Sequence, residues 1–282
     1  MNGFKRKQML KSRVITAIIL LVLLLVALFA LPPTAWAVLV VVMVMQGAIE
    51  WSRLSGFTGG KARLYWGLTL LLMAGLLWVD AGTAEGQHFR IHLFAYAVSA
   101  LLWLIVVPAW LMVGGKIRQP ALMALTGWAV LVPTGLAMLD MRAVSPWMLL
   151  FVMCLVWVAD IAAYFAGRKF GKRKLAPSIS PGKTWEGVAG ALLGVSVYVI
   201  LAWSISPDFA HREMLPIFLL ASWLWVGLAV IGDLFESAVK RQAGVKDSGA
   251  LLPGHGGLLD RIDALTSTLP LAALAMLLQK LG

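Results

Sequence analysis

Ser145-Pro146-Trp147-Met148-Leu149-Leu150-Phe151-Val152-Met153-Cys154-Leu155-Val156-Trp157-Val158-Ala159-Asp160-Ile161-Ala162-Ala163-Tyr164-Phe165 is a 21-residue stretch with one charged side chain, Asp160. About 20 apolar residues in helical form cross the hydrocarbon core of a bilayer, so the stretch reads as a transmembrane helix. Asp160 stands about one and a half turns from its end. A carboxylate at such a depth is costly and marks function by default, a facing Arg being the structural alternative. Cys154, the single cysteine of the chain, reads as a small buried hydrophobe. It excludes an internal disulfide and any Cys-based metal site.

Eight further apolar segments flank this one, at 14–31, 35–49, 64–79, 91–113, 120–139, 186–206, 214–232 and 264–280. The segments 35–49 and 64–79 are short for spans, and Pro32-Pro33 breaks the chain between the first two. The composition agrees with a membrane protein: 61% of the 282 residues are hydrophobic and 13% charged, against about 25% charged in a soluble domain. The expected fold is therefore an all-α integral membrane protein with about nine transmembrane helices. The basic start (Lys5, Arg6, Lys7, Lys11, Arg13) is followed by a long apolar stretch without a small-residue cleavage site. This reads as an uncleaved first span and not a signal peptide. No heptads, low-complexity tract or internal repeat stand out.

The net charge of +11 would suggest a nucleic-acid partner in a soluble protein. Here the basic residues lie in short loops, as the positive-inside bias requires. With the N-terminus inside, segments 5–13, 50–63, 114–119, 166–184 and 233–262 hold all Lys and Arg except Arg90, Arg142, Arg212 and Lys280. His88, His92 and His211 then fall outside. Seven acids, Asp160, Glu186, Asp233, Glu236, Asp247, Asp260 and Asp263, belong to the cytoplasmic side of the C-terminal half. In the N-terminal half Glu50, Asp80, Glu85 and Asp140 occupy span ends or loops. The division expected is an N-terminal transmembrane bundle, 1–140, and a C-terminal transmembrane region that holds the site, 141–282, with cytoplasmic loops 166–184 and 233–262.

Between Gly232 and Asp263 the chain places five acidic and four basic side chains. Asp233, Glu236 and Ser237 are three and four residues apart, hence on one helical face, and Asp260 and Asp263 are one turn apart on the next span. If the two spans pack antiparallel, four carboxylates converge. Such a group repels itself unless a cation intervenes, and oxygen ligands without Cys favour Mg²⁺. The alternative is a set of helix-end salt bridges with Lys240, Arg241, Lys246 and Arg261. Gly254-His255-Gly256-Gly257 precedes the last span. Its glycines would let backbone N–H groups approach a phosphate at a helix N-terminus, with His255 as a phosphate donor or a loop hydrogen-bonding group.

The loop 166–184 carries six Lys or Arg, suited to a triphosphate or an acidic lipid head group. Gly182-Lys183-Thr184 within Ser180-Pro181-Gly182-Lys183-Thr184 invites a P-loop reading. That pattern needs glycine at position 177, which is Pro, and a flanking strand, which is not expected here.

Ser237, Lys240-Arg241, Lys246-Asp247, Gly249, Pro253, His255-Gly256-Gly257, Asp260-Arg261 and Asp263 resemble, in order and spacing, the signature of the bacterial phosphatidate cytidylyltransferase (CDP-diacylglycerol synthase) family. Upstream, Asp160, Ala163-Tyr164, Gly167-Arg168, Phe170-Gly171, Leu175-Ala176-Pro177, Ser180-Pro181, Lys183-Thr184 and Glu186-Gly187 are similar too. The resemblance is firm over about 155–270. One departure is Ile161, where the family usually has a small or hydroxyl residue. The resemblance implies a membrane nucleotidyltransferase: CTP and phosphatidate give CDP-diacylglycerol and pyrophosphate, with Mg²⁺ and room for a second cation. It implies metal ligands at Asp233, Asp260 and Asp263, and phosphate clamps at Lys183, Lys240, Arg241, Lys246 and Arg261. Ser237 and His255 would orient the phosphates, with Asp247, Gly256, Gly257 and Asp160 completing the site. It also implies a homodimer in the bacterial cytoplasmic membrane, embedded in membrane lipids, with no nucleic-acid partner. The alternatives are a paralogous CTP-dependent enzyme acting on another lipid phosphate, or a cation transporter.

Overall fold

Proline and glycine punctuate the chain. Pro33, Pro120, Pro146 and Pro216 stand in the first turns of helices, where the missing N–H costs nothing and φ is pre-set. Gly114, with φ 65°, closes another helix in the left-handed conformation. In a computed structural model, residues 3–82, 85–205, 214–251 and 256–279 are described, with side chains from residue 15 and, in the third to fourth helix passage, from 89. The side chains of Lys5, Arg6, Lys7, Lys11, Arg13, Glu85 and His88 lie outside that part. So do His211, Arg212, Pro253, Gly254, His255 and Lys280 entirely.

The helices are α1 Gly3–Ala30, α2 Pro33–Leu54, α3 Gly59–Gly82, α4 Glu85–Leu101, α5 Val107–Val113, α6 Pro120–Val144, α7 Pro146–Phe170, α8 Trp185–Ile205, α9 Leu215–Gln242 and α10 Leu259–Gln279. A π-helical turn, Leu102–Val106, joins α4 to α5 ahead of Pro108. Among the described residues eight helices are long and apolar enough to cross a membrane, α4 and α5 counting as one, and Ile15–Ala30 of α1 is a shorter apolar helix. The protein is a polytopic, all-α membrane protein. The two segments that looked short in the sequence are 22- and 24-residue helices, because polar residues at their ends join the helix once its hydrogen-bond ladder is running.

One extra-helical element departs from expectation. Strands β1 Lys174–Ala176 and β2 Ser180–Thr184 form an antiparallel hairpin inside the basic loop. A strand does therefore precede α8. The P-loop is still not formed, because Gly182-Lys183-Thr184 lies in the strand itself instead of the turn after it.

Helices α6 and α10 are the most buried spans. Their hydroxyls bond carbonyls one turn back, Thr134 Oγ1 to Val130 O (2.7 Å) and Thr268 Oγ1 to Ala264 O (2.9 Å), so these two groups enter the apolar interior with a partner. One apolar core runs through both halves of the chain, from Trp36 and Met73 to Leu269 and Met276. Within it Phe235 of α9 is ringed by Trp51 (6.2 Å), Trp103 (5.4 Å) and Trp110 (5.5 Å).

Small residues let α7 and α8 touch. A Cβ on Gly190 would lie 2.2 Å from Ala166 Cβ, and one on Gly194 would lie 2.6 Å from Ala162 Cβ. Such small-residue stripes allow the close backbone approach that drives helix association in lipid. The same device brings α10 to α9: a Cβ on Gly232 would lie 2.7 Å from Asp263 O, and Ser267 Oγ donates to Leu228 O (2.8 Å).

Candidate active site

The polar loops meet at one end of the bundle. Gln242 at the end of α9 bonds both the N–H and the C=O of Ile117 (2.8 and 2.7 Å). Lys183 of β2 reaches Asp233 of α9 (2.6 Å), and Ser248 reaches Glu50 of α2 (2.9 Å). Four segments grouped on one side by their basic residues, 50–63, 114–119, 166–184 and 233–262, thus gather together in space.

A cleft of about 450 Å³ opens between α7, α8, α9 and the hairpin. Asp160, Tyr164, Arg168, Lys183 and Asp233 line it. Because α7 runs on to Phe170, Asp160 stands nearly three turns from the helix end, deeper than the apolar pattern suggested, and its side chain is open to the cleft. Two local devices hold the hairpin that forms the cleft wall. Thr184 Oγ1 accepts the N–H of Gly187 (3.1 Å), capping α8. The Glu186 carboxylate accepts the N–H groups of Lys172 (3.1 Å) and Arg173 (3.2 Å). Lys183 is thereby aimed at Asp233, whose other oxygen accepts the Ser237 hydroxyl (3.2 Å).

Behind the cleft the expected antiparallel packing of α9 on α10 brings acids together. Asp263 is within electrostatic reach of Asp233 and Asp160, and Glu236 of Asp263 and Asp260. The spacing of Asp233 and Glu236 does not keep them in one role. Asp233 faces the cleft, whereas Glu236 is buried (5% exposed). Lys240, also buried, places its ammonium 2.6 Å from Asp260 Oδ1 in a hydrogen bond. It lies 3.1 Å from Glu236 Oε1, off the hydrogen-bonding axis, as an ion pair. Among the described residues no three His, Cys, Asp or Glu side chains already form a metal-ligand group.

Asp260 is the most encumbered of the acids expected to bind metal. Its Oδ2 accepts the N–H of Ser248 (2.9 Å), the N–H of Gly257 (2.8 Å) and contacts the Ser248 hydroxyl (3.0 Å). The glycines expected to admit a phosphate are used for that approach. Gly256 has φ +81°, and a Cβ there would lie 2.5 Å from Asp260 Oδ2. Of the remaining expected site residues, Arg241 donates to Val245 O (3.1 Å) at the surface, and Lys246, Asp247 and Arg261 are exposed. His255 lies outside the described residues. Ile161 is 58% exposed and does not line the cleft, so its departure from the family pattern leaves the cleft wall unchanged.

Sequence reasoning passed over Glu50. It is wholly buried and belongs to the half of the chain without the signature, yet it touches both arms of the α9–α10 connection. The available signal was weak: an acid at a span end next to a tryptophan, Trp51.

The Cytidylyltransferase family model matches residues 11–279. The chain is 38% identical over 267 residues to a phosphatidate cytidylyltransferase of Pseudomonas aeruginosa, covering 94% of this chain and 96% of the relative. It is 38% identical over 283 residues to the one of Haemophilus influenzae, covering 93% and 96%. It also matches the uncharacterized Escherichia coli protein YnbB, at 39% identity over 182 residues, 63% of this chain and 53% of that one. From its membrane-spanning architecture, its acid-and-lysine cleft and these near full-length matches, the chain belongs to the cytidylyltransferase family.

Proposed function

We propose that this protein transfers CMP from CTP to phosphatidate, giving CDP-diacylglycerol and pyrophosphate. The observation that carries the reading is the meeting of Asp160, Asp233 and Lys183 in one cleft, with Asp263 behind them. An oxygen of the lipid phosphate, already anionic near neutral pH, forms a bond to the α-phosphorus of CTP. The bond from that phosphorus to the bridging oxygen breaks, and pyrophosphate leaves. No strong base is needed. The barrier is repulsion between an anionic nucleophile and an anionic triphosphate, which fixed cations lower.

The donor set fits Mg²⁺. Five carboxylates form a connected series, Asp160, Asp233 and Asp263 within reach of one another and Glu236 within reach of Asp263 and Asp260, and they are met by the ammonium groups of Lys183 and Lys240. The oxygen chemistry suits a hard cation. Asp233 and Asp263, with Asp160 beside them, would hold it, while Asp260 is taken up by Lys240, Ser248 and Gly257. Bound there, Mg²⁺ would supply charge neutralisation and Lewis-acid polarisation of the phosphates.

The chain's own groups do the rest. Lys183, half-buried at the cleft and hydrogen-bond close to Asp233, can turn its ammonium to a phosphate oxygen. Ser237 holds the Asp233 carboxylate in place. Arg168, with Nη1 3.0 Å from the Tyr164 hydroxyl, supplies a second cation at the cleft. Lys240 acts from within as the counter-ion of Glu236 and Asp260. The relatives' names support the substrates, and the positive-inside distribution supports a cytoplasmic site in the bacterial inner membrane. CTP would arrive from water and the lipid sideways from the leaflet, and two copies of the chain would pair.

The test is purified protein with Mg²⁺, CTP and phosphatidate, followed by pyrophosphate release and mass analysis of the lipid product. CDP-diacylglycerol is the expected product. Turnover only with a different lipid phosphate would move the reading to a paralogous substrate, and no CTP turnover with any lipid phosphate would overturn it.

A further inference from the structure

A buried carboxylate far from the signature residues organises their loop. Glu50 of α2 is 0% exposed and accepts four hydrogen bonds. Oε1 accepts Gln46 Nε2 (2.8 Å) and the Leu258 N–H (2.9 Å), and Oε2 accepts the Leu259 N–H (2.9 Å) and the Ser248 hydroxyl (2.9 Å). Leu258 is the residue that caps α10 and Leu259 is its first residue, and N–H groups at a helix start have no partner within the helix. Ser248 belongs to the opposite arm of the α9–α10 connection. Glu50 therefore pins both arms at once, and from a different part of the chain.

The fit is tight. A Cβ on Gly257 would lie 2.5 Å from Glu50 Oε2, and one on Gly249 would lie 3.1 Å from Oε1. The same serine hydroxyl that bonds Glu50 is 3.0 Å from Asp260 Oδ2. Asp260 in turn holds Lys240, the counter-ion of Glu236. A buried charge is tolerated only when its hydrogen-bonding capacity is filled, and here three of the four donors belong to the loop and helix start that carry the candidate site.

We propose that Glu50 is a positioning residue: through Ser248, Leu258 and Leu259 it sets the register of α10 against α9, and so the placement of the Asp260–Lys240 pair and of Asp263. The proposal rests on the nucleotidyl-transfer reading for its kinetic consequence but not for its geometric one. Glutamine at position 50 keeps the size but turns an amide N–H₂ toward groups that are themselves donors.

The experiment is Glu50→Gln in the full-length protein, with turnover normalised to the folded fraction and amide exchange read at Leu258 and Leu259. A misplacement of about 1 Å costs on the order of 10²-fold in rate. The expected result is a kcat for CTP about 10²-fold lower at a KM within about threefold of wild type, with faster exchange at those two amides. Ser248→Ala, which leaves both backbone contacts to Glu50 intact, is expected to lose about tenfold in kcat and serves if Glu50→Gln does not fold. Wild-type turnover per folded molecule in whichever variant folds, or unchanged exchange at Leu258 and Leu259 in Glu50→Gln, overturns the proposal. If the wild-type protein turns over no CTP, the functional reading fails instead, and the exchange comparison alone decides the anchoring.

Discussion

The two ends of this bundle both bury ionisable groups, and they do so differently. At the end away from the cleft, His92 lies between Asp80 (3.2 Å) and Asp140 (2.8 Å), and Tyr96 donates to Asp140 (2.7 Å). Nearby, Arg142 bonds the carbonyls of Leu28 and Leu31 and stacks over Trp36 (5.0 Å). These groups tie α1, α2, α3, α4 and α6 together and answer one another. At the cleft end, five carboxylates of α7, α9 and α10, with Glu50 of α2 beneath them, are met by Lys183 and Lys240, with Arg168 lining the same cleft, and part of the set faces an opening of about 450 Å³. The lesson is that buried charge in a membrane protein does not by itself mark a site. An excess of one sign, turned toward a space that a charged ligand can enter, is what makes the cleft end the candidate.

The hardest test of this contrast is Asp263→Asn, which removes a carboxylate from the excess without touching the cleft lining. Mg²⁺-dependent pyrophosphate release is expected to fall about 10³-fold. Activity within tenfold of wild type would remove Asp263 from the metal-holding group. Lys183→Ala should lower kcat/KM for CTP by about 10²-fold and shift the Mg²⁺ dependence, since Asp233 loses its resident cation. If the rate is unaffected, the hairpin is only a structural cover.

Asp260→Asn sharpens the comparison from the other side, because Asp260 behaves like the answered charges of the far end. Losing half of a buried pair costs about 3 kcal/mol, so its thermal unfolding midpoint in detergent should drop clearly together with activity. A variant as stable as wild type but inactive would return Asp260 to the metal. His92→Gln should lower the midpoint, with about 1–3 kcal/mol lost from unmet buried partners, and leave turnover per folded molecule within about twofold. Smallest of all, Ile161→Ser should change neither rate nor lipid preference by more than about twofold when phosphatidate and other lipid phosphates are compared, as a side chain outside the cleft lining requires.

Much of the candidate site was legible because its chemistry is dense and local. The Ser237–Asp263 run, the hairpin lysine Lys183 and the intramembrane Asp160 all announced themselves as charge where lipid disfavours it, and the structure brings Asp160, Lys183, Asp233, Ser237 and Asp263 to one place. Roles were less legible. Lys240 and Asp260 look the same in sequence as Lys183 and Asp233, and only burial and partners separate an internal pair from one that faces an opening. The Gly256-Gly257 pair reads as a phosphate cradle, yet the tight approach it permits is to Asp260 and Glu50.

Hydropathy and the distribution of Lys and Arg, taken alone, settled that the chain is a polytopic helical membrane protein and which loops share an end of it. The first follows from solvation, since the lipid core imposes its cost on each residue independently of its distant neighbours, and the second from the alternation of spans read with the positive-inside bias. Tertiary structure alone decided that a short hairpin forms within the basic loop, that Lys240 is locked between Glu236 and Asp260, and that Glu50, some 200 residues from Ser248 in sequence, lies under the loop. Those outcomes depend on which helices come close. That is governed by glycines and alanines whose packing, unlike charge or hydropathy, has no value until a partner surface is present.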